Sequence, residues 1–313
     1  MSAALNIDDV RAAAQRIARH VHRTPVATSS TLDRELDVRV FFKCENFQKV
    51  GAFKARGAVN SVLSLDDETA TGGVVTHSSG NHAAALAYAA GIRGIPCTIV
   101  MPDDAPKIKV DAVRGYGAII VFCPRREREQ RCRRVLDERG GTLIHPFTHP
   151  PIIAGQGTAA LELIEEVGEL DVVIAPVGGG GLLSGTAITT KSLLPQAAVL
   201  GAEPETADDA YRSLSSGELQ PAPENPQTLA DGLMTGLGRI NFDILRERDV
   251  SVVTVSEKAI VEAATFIVQR MKLVVEPSAA TVLAALRCRR DDLRGKRIGA
   301  ILSGGNTDFS WLR

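Results

Sequence analysis

Four consecutive glycines, Gly178-Gly179-Gly180-Gly181, stand between the apolar run Asp171-Val-Val-Ile-Ala-Pro-Val177 and the helix-forming stretch Leu-Leu-Ser-Gly-Thr-Ala-Ile188. A buried strand that ends in a bare-backbone turn and opens a helix offers free N–H groups and the positive end of the helix dipole. That combination suits a phosphate dianion. Without Cβ atoms the backbone can wrap closely around the ligand. The run matches neither the Walker A pattern nor G-x-G-x-x-G. Three further motifs carry reactive or anchoring groups. Lys54 lies in Lys49-Val-Gly-Ala-Phe-Lys-Ala-Arg-Gly57. His77-Ser78-Ser79-Gly80-Asn81-His82 marks a strand-to-helix junction, where small polar groups and free N–H groups can hold a carboxylate. Ser303-Gly-Gly-Asn306 follows the apolar run Gly299-Ala-Ile-Leu302. Each motif alone has an ordinary reading: a solvated lysine, a turn or a helix cap.

In this order and together, the motifs resemble those of the fold-type II pyridoxal-phosphate (PLP) enzymes. That group contains threonine and serine dehydratases, serine racemase and hydroxyaspartate dehydratases. The resemblance runs from Arg23-Thr-Pro25 to Ser303-Gly-Gly-Asn306, nearly the whole chain. It implies that Lys54 forms the Schiff base with PLP, that Phe53 flanks the ring and that Asn81 bonds the cofactor's phenolic oxygen. It also implies that Gly178, Gly179, Gly180 and Gly181, with the N–H of Leu182, hold the phosphate, and that Ser303 faces the pyridine nitrogen. A hydroxyl at that nitrogen leaves the ring a weaker electron sink than a carboxylate would, which fits elimination or racemisation.

The implied chemistry is removal of the α-proton of an amino acid by Lys54 and loss of a β-hydroxyl, giving a 2-oxo acid and ammonia. Ser78, Gly80, Asn81 and His82 would anchor the substrate α-carboxylate. Ser79 stands where the racemases and their close dehydratase relatives carry serine, and it would act as an acid/base on the face opposite Lys54. After this motif, Ala83-Ala84-Ala85 replaces the Gly-Gln-Ala stretch of eukaryotic racemases.

Glu203-Pro-Glu-Thr-Ala207-Asp-Asp209 taken alone is an acidic loop. The resemblance makes Glu203, the Ala207 carbonyl and Asp209 ligands of a divalent cation, Mg²⁺ or else Ca²⁺ or Mn²⁺. Ser29, Ser30, Lys49, Lys272 and Asn306 match positions that some racemase relatives use for ATP, which leaves nucleotide binding open. Arg125 to Arg134 contains six arginines and two glutamates on a helical stretch, most of them a solvated face. Arg128 aligns with an arginine that reaches the active site, where bidentate pairing would suit a second substrate carboxylate such as that of 3-hydroxyaspartate. Thr235 would assist from the opposite side.

The elements that must position these groups alternate. Strands are expected at Val38–Lys43, Gly73–Thr76, Cys97–Met101, Ile119–Phe122, Val172–Pro176, Val199–Ala202, Ser251–Val255 and Ile298–Leu302. Helices are expected at about Asp8–His20 and at Asn81–Ala90, Ala105–Tyr116, Glu127–Arg139, Ala154–Val167, Leu182–Leu194, Glu257–Met271 and Ser278–Arg287. Such alternation predicts parallel sheets flanked by helices. The strands are too many for one compact unit, so the expected fold is α/β and two-lobed, of the tryptophan synthase β type. Residues 1–72 plus 149–313 would form the large lobe and 73–148 a smaller mobile one. Pro204 to Gly238 is expected to be a long surface connection carrying functional turns.

Composition sets limits. The chain has 313 residues, 44% hydrophobic and 23% charged, and its 36 basic against 37 acidic residues leave a net charge of −1. No global field would draw it to nucleic acid or an anionic membrane. Its five cysteines show no C-x-x-C spacing, which disfavours a disulfide framework or zinc site and suits a reducing cytosol. The first residues read as no signal peptide, and with Arg313 as the last residue the C-terminal regulatory domain of biosynthetic threonine dehydratases is not expected. With the cytoplasm expected from composition, the resemblance implies a homodimeric dehydratase of serine, threonine or 3-hydroxyaspartate. Racemisation of serine or aspartate through Lys54 and Ser79 is the alternative. A catalytically silent sensor of PLP or amino acids is a third reading, disfavoured because it would have no need of Lys54.

Overall fold

A computed structural model of the chain describes residues 5–312 except Ser79 and Pro106. Ten strands form two sheets: β1 (Val26–Ala27), β2 (Arg39–Cys44), β3 (Val74–His77), β4 (Cys97–Pro102), β5 (Ile119–Cys123), β6 (Thr142–Leu143), β7 (Val172–Pro176), β8 (Ala198–Pro204), β9 (Ser251–Val255) and β10 (Arg297–Leu302). The six-stranded sheet runs β1-β2-β10-β7-β8-β9, and the four-stranded sheet runs β5-β4-β3-β6. Every pairing is parallel except that of β1 with β2. All eight strands expected from the sequence are present. The two not foreseen, β1 and β6, are two residues long, too short to show a period.

The large sheet is buried on both faces, so its strands are continuous apolar runs and not alternating ones. All five residues of β7 are buried. Val172 and Ile174 pack with the helix Pro277–Cys288, while Ala175 packs toward the helix Gly181–Leu193 on the other face. In the small sheet Val74, Ile99 and Met101 face the helix Asn81–Arg93, and Val75 and Val100 face the helix Arg128–Arg139.

Helix boundaries moved where capping decides them. The first helix spans Ile7–Ile17, set by a capping box between Asn6 and Asp9, and ends before the expected His20. The helix expected from Ala154 starts at Pro150, with proline in the first turn, where its missing N–H costs nothing. The helix Glu257–Phe266 passes into a π-helical turn at Ile267–Met271. The helix Lys54–Leu63 was not foreseen, because alanine, glycine and a buried arginine hide its period. Eight of its ten residues are buried. Ala58, Val59 and Val62 join the core beneath the small sheet, while Gly57 meets Ile152 and Gln156 of the helix Pro150–Val167. The stretch from Pro204 to Gly238 holds a helix, Asp209–Ser216, and a 3-10 turn, Asp231–Leu233, and it returns to the cleft.

Candidate active site

The carboxyl ends of parallel strands converge on one cleft, the place where open α/β sheets put ligands. From the large sheet, β7 leads into the glycine run, β10 into Ser303, and the segment after β2 into Lys54. From the small sheet, β3 leads into Ser78 and Asn81, β5 into the arginine helix, and β6 into His145. The cleft has a volume of about 870 Å³. Every described residue expected at cofactor or substrate lines it: Phe53, Lys54, Ser78, Gly80, Asn81, His82, Arg128, Gly178 to Gly181, Leu182, Thr235 and Ser303. Ser79 lies outside the described residues.

Lys54 opens its helix, and its Nζ donates to the carbonyl of Pro146 at 2.9 Å and sits 5.2 Å above the Phe53 ring. Burial disfavours its charge and lowers its pKa to about 8, so a usable fraction of the amine is neutral near physiological pH. The turn before it is clamped to the C-terminal motif. Phe53 N donates to Ser303 O at 2.9 Å, Gly305 N to Gly51 O at 2.9 Å, and Asn306 Nδ2 to Val50 O at 2.8 Å. Two motifs some 250 residues apart in sequence thereby become one wall.

The glycine run forms a close-fitting cradle. Gly180 has φ +93°, and a Cβ on Gly179 would lie 2.3 Å from the Phe147 ring. Thr235 Oγ1 accepts from Gly179 N at 3.1 Å, so this threonine belongs to the glycine turn. Asn241, unnoticed in the sequence, donates from Nδ2 to Gly179 O at 2.6 Å and to Phe147 O at 3.0 Å. The helix starting at Gly181 leaves the N–H groups of its first turn without intrahelical partners.

Asn81 begins the helix Asn81–Arg93 and donates from Nδ2 to both carboxylate oxygens of Glu276, at 3.1 Å each, while its Oδ1 accepts from Asn306 at 2.9 Å. Glu276 also went unnoticed; its only signal was Glu276-Pro277-Ser278 at a helix start. Burial raises its pKa to about 7. Ser78 Oγ accepts from Gly80 N at 3.3 Å. His82 is buried and held neutral, with its Nε2 donating to Ile144 O at 3.1 Å, so it brings no positive charge to a carboxylate.

Arg125, Arg126 and Arg128 all reach the cleft. Arg125 is paired with Asp104 at 2.9 Å. Arg128 uses its Nε on Arg125 O at 3.0 Å, and the guanidinium forms no ion pair among the described residues. Lys109 and Asp231, from opposite sides of the cleft, form an ion pair across its mouth.

A family model described as "Pyridoxal-phosphate dependent enzyme" matches residues 17–304. The chain belongs to the pyridoxal-phosphate dependent enzyme family. It is 48% identical to a serine racemase of Dictyostelium discoideum, over 98% of this chain and 97% of that protein. It is 47% identical to a beta-hydroxyaspartate dehydratase of Paracoccus denitrificans, over 97% of each. A crystal structure of serine racemase from Dictyostelium discoideum matches with a TM-score of 0.93, covering 97% of this chain and 99% of that one. The cleft of this pyridoxal-phosphate dependent enzyme fits the cofactor on its own geometry. An amine shifted toward neutrality stands in the same cleft as a glycine cradle whose side-chain space is already filled by neighbours.

Outside the cleft lining, Glu203 and Asp209 are buried; burial, with Asp209 adding to it, pushes the Glu203 pKa up to about 8, and burial, with Asp208 adding to it, raises that of Asp209. Among the described residues Glu203 accepts from the backbone N–H groups of Tyr211 and Ala210, and Asp209 from Leu237 N at 2.7 Å. Two buried carboxylates repelling each other are a donor set that a divalent cation would satisfy. Among the described residues no group of three or more His, Cys, Asp or Glu side chains converges as a metal site. Of the positions matched to nucleotide contacts, Ser29 caps a helix through Leu32 N, Lys272 donates to Gln269 O, and Asn306 holds Asn81 and Val50. No helix is long and apolar enough to cross a membrane among the described residues.

Proposed function

We propose that the enzyme dehydrates a β-hydroxy-amino acid to a 2-oxo acid and ammonia, with 3-hydroxyaspartate as the preferred substrate. The observation that carries this reading is the half-buried Arg128 guanidinium, which lines the Lys54 cleft without an anionic partner among the described residues. Burial and the neighbouring Arg125 both disfavour its charge. A substrate carboxylate beyond the α-carboxylate would relieve that imbalance through paired charge-assisted hydrogen bonds. The beta-hydroxyaspartate dehydratase of Paracoccus denitrificans, at 47% identity, supports the same substrate.

The roles follow from position. PLP, when bound, supplies the electron sink that makes the α-proton removable. Gly178 to Gly181 and the Leu182 N–H would receive its phosphate, Lys54 its aldehyde carbon, Asn81 its phenolic oxygen and Ser303 its pyridine nitrogen, with Phe53 alongside. Lys54 would take the substrate α-proton, and its lowered pKa suits a base at neutral pH. The helix start at Gly80 and Asn81 offers N–H groups to the α-carboxylate. Glu203, the Ala207 carbonyl and Asp209 would hold Mg²⁺, which neutralises the buried pair and braces the segment that returns to the cleft at Gly236.

Racemisation on the same residues is the second reading, favoured by the 48% identity to a serine racemase. A product assay separates the two. Purified protein with PLP and Mg²⁺ is given L-serine, L-threonine and both 3-hydroxyaspartate diastereomers, and 2-oxo acid and chiral amino acid are quantified together. Oxo acid chiefly from one 3-hydroxyaspartate diastereomer is the expected result. An enantiomer as the main product would replace the dehydratase reading with the racemase one.

A further inference from the structure

Losing a β-hydroxyl puts negative charge on a poor leaving group, so the departing oxygen needs a donor. Among the cleft side chains, His82 spends its ring proton on Ile144 O. The hydroxyls of Ser78 and Thr235 accept from Gly80 N and Gly179 N, which leaves the direction of their O–H unfixed. His145 offers a proton whose place is fixed. It lines the cleft just after β6, and the next residue, Pro146, carries the carbonyl that holds Lys54 Nζ at 2.9 Å. Its ring stands edge-on to His77 and Phe147, with centroids 5.8 and 4.6 Å away.

The backbone fixes its tautomer. His145 Nδ1 lies 3.5 Å from Phe147 N and 3.3 Å from Thr148 N, and both N–H groups can only donate. Nδ1 must therefore accept, and the ring proton sits on Nε2. Nε2 has no partner among the described residues. Burial, together with nearby His77 and Lys54, holds the pKa down to about 4, so the ring stays neutral across the physiological range. A neutral imidazole kept in one tautomer is a donor that resists protonation, the arrangement other enzymes use to polarise a substrate oxygen.

We propose that His145 donates the Nε2–H hydrogen bond to the departing β-oxygen of the substrate. The proposal rests on the dehydratase reading above. Lys54 takes the α-proton, and the Cα–H bonding pair becomes the Cα–Cβ π pair. The Cβ–O bonding pair leaves on oxygen, and the proton held by Lys54 completes a water molecule. His145 keeps its own proton and lowers the energy of the charge that builds up on oxygen.

The test compares leaving groups in the holoenzyme. His145→Phe keeps the ring stack but loses the donor. It should slow elimination from L-serine and 3-hydroxyaspartate by about 10²–10³-fold, the usual effect of removing one oxyanion donor. Elimination of chloride from β-chloro-L-alanine, which needs no such donor, should stay near the wild-type rate. His145→Gln should recover part of the hydroxyl elimination. In the cofactor-free protein, ¹⁵N NMR should show His145 as the neutral Nε2–H tautomer from about pH 6 to 8. Equal losses with hydroxyl and chloride substrates, or an Nδ1–H tautomer, would overturn the proposal. Wild-type enzyme that releases chloride but dehydrates no hydroxy-amino acid would instead remove the dehydratase reading, and the role of His145 with it.

Discussion

The two walls of the cleft are built from different materials. Apart from Lys54 and Glu276, the large-sheet wall uses backbone and short side chains: the glycine run, Ser303, and the Val50–Phe53 turn pinned to Gly305 and Asn306. Behind it lies a buried charge cluster in which Arg56, two residues after Lys54, grips Glu45 and Glu162 at 2.7 Å each, while Lys43 bonds Glu162 at 2.7 Å. Beyond Ser78, Gly80 and Asn81 at its helix start, the small-sheet wall uses long or titratable side chains, Lys109, Arg126, Arg128, His77 and His145, on elements that are more exposed. Its edge strand β5 leaves Ile119 and Phe122 at 51% and 44% exposure. A backbone cradle holds one fixed shape and suits an invariant cofactor. Side chains on a thin sheet are easily exchanged and suit the choice of substrate. The difference teaches that cofactor binding and substrate selection should be separable by mutation.

The largest expected effect is at Lys54. Lys54→Ala should cost roughly 10²–10⁴-fold in rate, the range for a positioned base. It should also abolish the yellow colour of the lysine-bound cofactor while far-UV circular dichroism stays unchanged. A persisting colour would mean that another amine holds the cofactor.

Next comes the cluster behind the cradle. Arg56→Met strands Glu45 in a fully buried position and should destabilise the protein by about 3–5 kcal/mol in urea unfolding. A loss of under about 1 kcal/mol, the scale of exposed pairs, would show that the large-sheet wall is not braced by this cluster.

A smaller effect concerns pH. Only the neutral amine of Lys54 can capture the cofactor aldehyde. Below its pKa of about 8 the capture rate should therefore climb roughly tenfold per pH unit, and above it the rate should level off. Stopped-flow mixing of the cofactor-free protein with PLP reads this directly, and a midpoint near 10 would remove the argument that burial activates Lys54.

The smallest is at the opposite edge. Ile119→Lys on exposed β5 should change stability by no more than about 0.5 kcal/mol and leave cofactor affinity untouched. A larger loss would mean that this edge is covered in the working protein.

The same contrast explains what could be read from sequence. Long buried strands such as β7 and the Gly178–Gly181 run announce themselves by composition, and every described residue named for the cofactor lines the cleft. Contacts made by residues distant in sequence leave no local pattern. Glu276 meets Asn81 across 195 positions, and Asn241 meets Gly179 across 62. The helix carrying Lys54 was hidden because it is buried nearly all round and so lacks an amphipathic period. Among the arginines the sequence singled out Arg128, whereas the structure brings Arg125 and Arg126 to the cleft as well and separates them by partner: Arg125 has Asp104, and Arg128 has no ion-pair partner among the described residues.

The most direct test of the division of labour is Arg128→Leu, with PLP affinity and the ratio of kcat/KM for 3-hydroxyaspartate over L-serine measured on the same preparation. The ratio should fall by about 10- to 100-fold, as expected for losing a charge-assisted hydrogen-bonded pair, while the Kd for PLP stays at the wild-type value. A ratio that does not change, or a loss of PLP affinity matching the loss of activity, would contradict the assignment of substrate choice to the small-sheet wall.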